Sequence, residues 1–407
     1  MREMKDSRIV WIGAIPKRWQ LSKIGSLYTQ RNEKVSDKDY QPLSVTMQGI
    51  LPQLATAAKT NDGGNRKLVR VGDFAINSRS DRRGSCGISP LDGSVSLINI
   101  ILTPRTAMHP GYYNWLFHTT LFADEFYKWG HGIVADLWTT RWQEMKSITV
   151  PVPEYAEQER IAAFLDAECA EINAVLEKTR ASIEEYKKLK QAVIMQAVTK
   201  GVSGDRPMKN SGIEWIGEIS QDFEIVKLKW LCDILDQFRS PVTADKRNQN
   251  ADVLYDYYGA SGAIDKIDSY TIDDHVMLIG EDGANLRMRN LPIMYEINGK
   301  AWINNHAHIL RPKEGVDFHF VFYALEALDL NYYITGSAQP KLSQDNLRNI
   351  WIPITDFSEQ KRIAAYISDV CVGLDRLIAK KQQYLTEIEN YKKSLIYEYV
   401  TGKKEVV

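Results

Sequence analysis

Cysteine is scarce in this chain. Cys86, Cys169, Cys232 and Cys371 are the only four among 407 residues, they lie far apart, and none forms a CxxC pair. That spacing excludes a disulfide framework and argues against a structural zinc site. Long apolar runs are also missing. VSLINIIL (95–102) is among the longest and reads as a buried strand, far short of a membrane span. The N-terminus, MREMKDSRIV, has no apolar signal core, so the cytoplasm is the expected location. No GxxxxGK[ST] loop, post-strand GxGxxG turn, Asn-Pro-Pro-aromatic tetrad or HExxH occurs, which speaks against an NTPase, an amino-methyltransferase and a zinc hydrolase. His306 and His308 alternate on one strand face in WINNHAHILRP, but no third ligand completes a metal site, so a structural role is expected. Glu144-Met145-Lys146 fits half of a nuclease pattern, too short to be specific, and reads as a solvated turn.

A balanced composition, 44% hydrophobic and 25% charged, fits a soluble globular protein with two or three cored domains. Charge is distributed unevenly. Residues 1–150 carry 20 Lys+Arg against 13 Asp+Glu, a net of +7, whereas residues 205–352 carry 15 against 22, a net of −7. A nucleic-acid surface in the second stretch must therefore be a local patch within an acidic background.

The dominant signal is duplication. AEQERIAAFLDAEC (156–169) returns as SEQKRIAAYISDVC (358–371), and the offset of 202 holds without gaps from Pro151 to Val198. MKDSRIVWIGAIPKRWQLSKI (4–24) returns as MKNSGIEWIGEISQDFEIVKL (208–228) at an offset of 204. The segment that follows the first repeat, VTKGVSGDRPMKNSGIEWIG, is split in the second between VTGKKEVV at the C-terminus and MKDSRIVWIG at the N-terminus. The chain reads as two copies around a pseudo-twofold axis with neighbouring termini.

Residues 157–198 and 359–400 contain no proline, and their apolar residues recur at heptad spacing. Leu165, Ile172, Tyr186 and Val193, flanked by Ile161, Val175, Leu176, Ile183 and Leu189, mark the first stripe. Ile367, Leu374, Ile388 and Leu395, flanked by Ile363, Val370, Leu377, Ile378, Leu385 and Tyr391, mark the second. Such stripes predict two helices packed as an antiparallel coiled coil, each about 60 Å long at ~1.5 Å per residue. Thr179 and Lys381 share one heptad position and read either as register-fixing polar residues or as simple imperfections. The remaining parts, rich in short β-type runs with helices expected near 112–129 and 318–328, predict two mixed α+β domains. Within them the loop NSRSDRRGSCG (77–87) presents Asn77, Arg79, Ser80, Arg82 and Arg83, suited to guanine edges and phosphates, in preference to a merely solvated loop. Weaker candidates in the second domain are Ser261 in GASG, Arg287 and Arg289 in GEDGANLRMRN, and Gln339, Lys341 and Gln344 in GSAQPKLSQDNLRN.

The whole chain, residues 4–404, resembles the specificity subunits of type I restriction–modification systems. SRIVWIGAIP, SGIEWIGEIS, VPVPEYAEQERIAAF and IPITDFSEQKRIAAY carry the resemblance, with YYGASGAIDKIDSY, LIGEDGAN, WINNHAHILRP and GSAQPKLSQDNLRNIWIPI in the second domain. The first domain matches more loosely, through PLSVTMQGI, VRVGDFAIN and LWTTRWQEMKSITVPVP, and has Ala135-Asp136-Leu137-Trp138 where the family has Gln-x-x-Leu. The resemblance implies target-recognition domains at 1–150 and 204–352 and spacer helices at 151–203 and 353–407. It implies an α+β fold in which each domain reads one half of a bipartite double-stranded DNA target, while the helices set the separation. It implies that Glu157, Gln158, Arg160, Glu359, Gln360 and Arg362 lie where two methyltransferase subunits dock, with restriction subunits joining through them. It further implies a non-catalytic chain without its own cofactor or metal; S-adenosylmethionine, Mg²⁺ and ATP belong to the partners. Two other readings remain beside it: a structural bridge whose globular domains bind protein, and a stand-alone nuclease or methyltransferase, disfavoured by the missing motifs.

Overall fold

A computed structural model describes residues 2–53, 63–132, 138–204, 206–244, 247 and 252–406. The chain divides into two compact units, one formed by Met1–Arg180 with Gln383–Val407 and the other by Ala181–Gln382. Two long helices, Tyr155–Lys200 and Phe357–Val400, run for 46 and 44 residues, about 69 and 66 Å at ~1.5 Å per residue.

In the first unit, residues 155–180 meet residues 383–400. Phe164 packs on Tyr399 at 4.4 Å, Lys392 donates to Asn173 at 2.7 Å, and Arg180 pairs with Glu389 at 2.7 Å. In the second unit Lys381 lies over the Tyr186 ring at 5.7 Å and Lys190 pairs with Asp375 at 2.8 Å. Within each unit the numbers rise on one helix as they fall on the other, so the pairing is antiparallel. Ile161, Leu165, Leu176 and Ile183 are buried as the heptads predict, and so are Ile363, Ile367, Leu374 and Leu395. Val175, Leu189, Leu377 and Tyr391 are exposed instead, because a two-helix seam covers less than the full apolar stripe. Thr179 is buried and donates to the Val175 carbonyl at 2.8 Å, so its hydroxyl is satisfied within its own helix.

Each unit opens on the same frame. Met4–Asp6 pairs antiparallel with Ala14–Pro16, and Met208–Asn210 with Glu218–Ser220. The turns between close through Ser7 N–H to Gly13 O at 3.2 Å and Ser211 N–H to Gly217 O at 3.0 Å. The left-handed position in that turn is Arg8 (φ 59°) in one copy and Gly212 (φ 77°) in the other, so only the first copy strains a side chain. Gln20–Lys23 then pairs with Thr149–Val152, and Glu224–Lys227 with Trp351–Ile354.

The inserts differ. The first unit has a four-stranded sheet ordered Cys86–Ile88, Phe74–Asn77, Asn99–Pro104, Tyr28–Arg31, a three-stranded sheet and the hairpin Leu43–Thr46/Gly49–Pro52. Its core is aromatic, with Trp19, Tyr28, Phe74, Tyr112, Tyr113, Phe117, Phe122 and Phe126 fully buried beside Leu395 and Val400. The second unit has one six-stranded sheet ordered Cys232–Ile234, Ala307–Pro312, Ile272–Gly280, Met294–Ile303, Tyr255–Gly259, Gly262–Ile267. Its core is aliphatic around Phe223 and Phe320.

Three local expectations are corrected. VSLINIIL is not one strand: Gly93–Val95 and Asn99–Pro104 are separated at Ser96–Ile98, where Asn99 N–H closes a turn on Ser96 O. The helix near 112–129 is two helices, Pro110–Phe117 and Thr120–Lys128, because the Thr119 side chain caps the second by accepting from Phe122 N–H at 3.2 Å. Glu144 is not in a solvated turn; it lies in the short helix Trp142–Met145, where its carboxylate accepts from Arg141 N–H at 3.0 Å while Met145 is buried.

Candidate nucleic-acid interface

Each unit joins two loops in the same way. In the first, the loop that follows strand Phe74–Asn77 is tied to residues 138–140. Thr140 N–H donates to Ser78 O at 3.0 Å, Ser80 N–H donates to Trp138 O at 3.0 Å, and Arg79 bridges to Thr139. In the second, the loop after strand Ile272–Gly280 is tied to residues 340–342. Leu342 N–H donates to Glu281 O at 2.7 Å, Gly283 N–H donates to Pro340 O at 3.0 Å, and Asp282 bridges to Lys341. The closing loop also folds back alike: His131 exchanges bonds with Thr139, and Thr335 with Lys341. Two loops of unrelated sequence thus occupy one topological place.

The first junction is cationic. Asn77 is buried and accepts from Arg79 N–H at 3.0 Å, which sets the direction of the turn. The Tyr127 hydroxyl lies 3.0 Å from Asn77 O and 3.3 Å from Arg82 O and props the loop from below. Arg79 is exposed and Ser80 partly so. Among the described residues Arg82, 68% exposed, has only the distant Asp81 carboxylate at 3.7 Å, whereas Arg83 pairs with Asp124. Ala135, Asp136 and Leu137 lie outside the described residues; Trp138 next to them donates its indole N–H to Tyr127 O at 2.8 Å.

The second junction is a tight packing of turns over buried charge. Gly262 has φ 98°, and a Cβ there would stand 2.8 Å from the Tyr295 ring; one on Gly280 would stand 2.7 Å from Ala260 O. Ser261 is therefore carried, exposed, on a turn pressed against the loop 280–283. Gln339 is exposed, Lys341 pairs with Glu281 at 2.9 Å, and the Gln344 amide donates to Asp236 at 2.8 Å. The two arginines divide. Arg287 is exposed and donates to Ile334 O at 3.1 Å, next to the closing loop. Arg289 turns inward, donating to Glu326 O at 2.8 Å and Leu328 O at 2.9 Å, and burial pushes its guanidinium below the ordinary arginine value. It is a strut between loop and helix and does not join the exposed group.

Sequence reasoning missed the acids beneath this junction. Asp236 accepts from His308 Nδ1 at 2.7 Å, Gln344, Ile309 N–H at 3.1 Å and Arg239 at 3.2 Å. Burial alone raises its carboxyl, but His308, Gln344 and the Ile309 amide outweigh that and hold it below the usual aspartate value. Glu281 is likewise driven up by burial and brought below its usual value by Lys341 and Arg239. His308 is 1% exposed, and His306 Nδ1 lies 2.7 Å from Asp282, so both histidines are engaged with carboxylates. Among the described residues no group of three His, Cys, Asp or Glu could hold a metal ion.

The residues expected on the docking helices mostly face inward. Glu157 is buried, pairs with Arg2 and with Arg18 at 3.1 Å, and accepts from the Trp19 indole at 2.9 Å. Gln158 accepts from His109 N–H at 2.9 Å and donates to Pro153 O at 2.8 Å. The second copy repeats this: Glu359 pairs with Arg206 at 2.7 Å, and Gln360 accepts from Asp317 N–H and donates to Thr355 O. Arg160 and Arg362 are exposed, the latter paired with Glu359. The Glu-Gln pair is a joint that fastens each long helix to its own unit. Arg2 and Arg206, its unrecognised partners, sit at the repeat offset and were legible in it.

Comparison with known proteins agrees with this geometry. The type I restriction modification DNA specificity domain matches residues 220–390, which hold most of the second unit and the start of the second long helix. The type I restriction enzyme MjaVIII specificity subunit of Methanocaldococcus jannaschii is 27% identical over 282 residues, 64% of this chain and 63% of that one. A putative type I restriction enzyme specificity subunit of Haemophilus influenzae, S.HindORF215P, is 28% identical over 159 residues, 39% of this chain and 37% of its own length. The chain thus spans less than two thirds of the length of these curated relatives. A chain from the structure described as "Structural basis underlying complex assembly and conformational transition of the type I R-M system" superposes with a TM-score of 0.72 at 15% identity, covering 96% of this chain and 99% of its own. The HsdS subunit from Thermoanaerobacter tengcongensis gives 0.50 at 17% identity, covering 96% and 98%. At such identities these two show the fold. This chain is similar to the specificity subunits of type I restriction–modification systems in sequence over about two thirds of its length and in fold over nearly all of it.

Proposed function

We propose that the chain is the sequence-reading, non-catalytic component of a type I methyltransferase and endonuclease complex in the cytoplasm, each unit recognising one half of a bipartite duplex site. The carrying observation is the loop junction built twice on a duplicated frame with different outward side chains: Arg79, Arg82 and the partly exposed Ser80 in one, Ser261, Arg287, Gln339, Lys341 and Gln344 in the other. A shared scaffold with divergent loops is what two readers of unlike half-sites require. Two methyltransferase subunits dock on the long helices, restriction subunits join through them, and S-adenosylmethionine, Mg²⁺ and ATP are handled by those partners. No helix among the described residues is long and apolar enough to cross a membrane.

The test is to reconstitute the chain with its methyltransferase partners, map methylated adenines, and exchange residues 22–150 for those of a relative. One half of the methylated motif should change and the other persist. If both halves change or neither does, the assignment of one unit to one half fails. The acidic balance of residues 205–352 supports a second reading, a bridge that binds protein; a gel shift with no sequence preference would favour it.

A further inference from the structure

Gln344 and Lys341 are exposed, yet each is bonded to a carboxylate beneath it, Asp236 at 2.8 Å and Glu281 at 2.9 Å. Those carboxylates are bound to one another through Arg239, which pairs with both, and His308 lies between Asp236 at 2.7 Å and the Leu342 carbonyl at 2.8 Å. The loop bearing Lys341 is thus held by its side chain, by the Leu342 carbonyl, and by Leu342 N–H on Glu281 O.

We propose that Asp236, with His308, Arg239 and Glu281, is a positioning network that presents Gln344 to an adenine edge in the half-site read by the second unit. This rests on the function proposed above and adds a base, a reading residue and its support. Because a carboxylate only accepts, the contact with Asp236 settles which end of the Gln344 amide is nitrogen. One amide hydrogen is used on Asp236. Among the described residues nothing takes up the other hydrogen or the amide oxygen, and that donor–acceptor pair is what N7 and the N6 amino group of adenine require in the major groove. A freely rotating glutamine would offer either end; a pinned one offers a single arrangement.

The frame itself does not need this network. His308 pairs across the sheet with Ile279, and the matching pair in the first unit is Ile100 with Ile76. Asp236 lies two residues past Ile234, which faces Leu310; the matching residue in the first unit is Asn32, two past Gln30, which faces Leu102. The same sheet position is therefore filled by a buried isoleucine in one unit and by a histidine–aspartate pair in the other. Burying charge where an isoleucine suffices costs stability, and its return here is a fixed orientation of two exposed side chains.

The experiment uses the reconstituted complex with its methyltransferase partners and measures methylation rates on duplexes carrying every base at each half-site position. Gln344→Ala, at an exposed site, should relax one adenine position by about 10- to 100-fold. Asp236→Asn combined with His308→Ile, the first unit's own pair, should relax that same position about 5- to 10-fold, leaving the other half-site and the salt dependence unchanged. A purely structural role would instead weaken binding to all sequences alike and lower the melting temperature in proportion. Unaltered discrimination in Gln344→Ala overturns the assignment of the base, and relaxation by Gln344→Ala but not by the double variant overturns the network. A wild-type complex with no preference in that half-site would sink the proposed function, and this inference with it.

Discussion

The two units solve one architectural problem with opposite electrostatics. Both tie a loop after a central strand to a loop before the last frame strand, through the same backbone bonds. In the first unit the junction rests on a tyrosine hydroxyl and carries exposed arginines. In the second it rests on two partly buried carboxylates, and the cations nearest them are already paired. The difference teaches that net charge is a poor guide to a binding face. Part of the −7 carried by residues 205–352 lies beneath the junction, paired with Arg239 and Lys341.

The comparison can be broken most sharply at the helix joint. Glu157→Ala leaves Arg2 without its buried partner and should cost about 3–5 kcal/mol in chemical denaturation. Glu359→Ala removes a carboxylate that pairs with Arg206 and Arg362 but, among the described residues, accepts no indole N–H, and should cost about half as much. Equal losses would show that the two joints are energetically the same despite the missing tryptophan, since Phe223 stands at the repeat position of Trp19.

A smaller effect is expected at the junctions. Gly280→Asn gives the second unit the residue that the first has there, Asn77, and drives a Cβ toward Ala260 O. About 1–3 kcal/mol of destabilisation should follow, with weaker binding confined to one half-site; a loss at both would contradict the separation of roles. Arg82→Ala should then weaken binding to the half-site of the first unit. If Arg82 meets phosphate, all sequences suffer alike and the salt slope falls by about one; relaxation at a single base would assign it to an edge instead.

The smallest effect concerns pH. Asp236 and Glu281 titrate below their usual values of 3.8 and 4.5, so their ionised pairs stabilise the second unit above that range. As pH falls through about 4.5 and lower, that stability is lost. Limited proteolysis between pH 6 and pH 3 should open the second junction before the first, and Asp236→Asn with Glu281→Gln should flatten the difference.

The frame was legible because duplication reports structure directly: whatever both copies keep must serve both. The helices, the lead-in turns and even the Arg2/Arg206 partners of the joint follow from that logic. The junctions were legible only as loops. Nothing in GEDGANLRMRN distinguishes Arg287, which faces outward, from Arg289, which donates to helix carbonyls, because that choice depends on a left-handed turn at Arg289 (φ 51°). Asp236 and His308 were equally hidden, being 72 residues apart in sequence and joined only by strand pairing. VSLINIIL misled because apolar periodicity does not mark a turn when the turn residues Leu97 and Ile98 are themselves hydrophobic.

The first unit closes with residues that follow the second in sequence: Leu395 and Val400 lie in its core, and Tyr112 donates to Val400 O at 2.8 Å. A ribosome delivers Ala181–Gln382 as an unbroken stretch before it delivers those residues. The N-terminal domain therefore cannot close its aromatic interior over Leu395 and Val400 until the whole of the second has been synthesised.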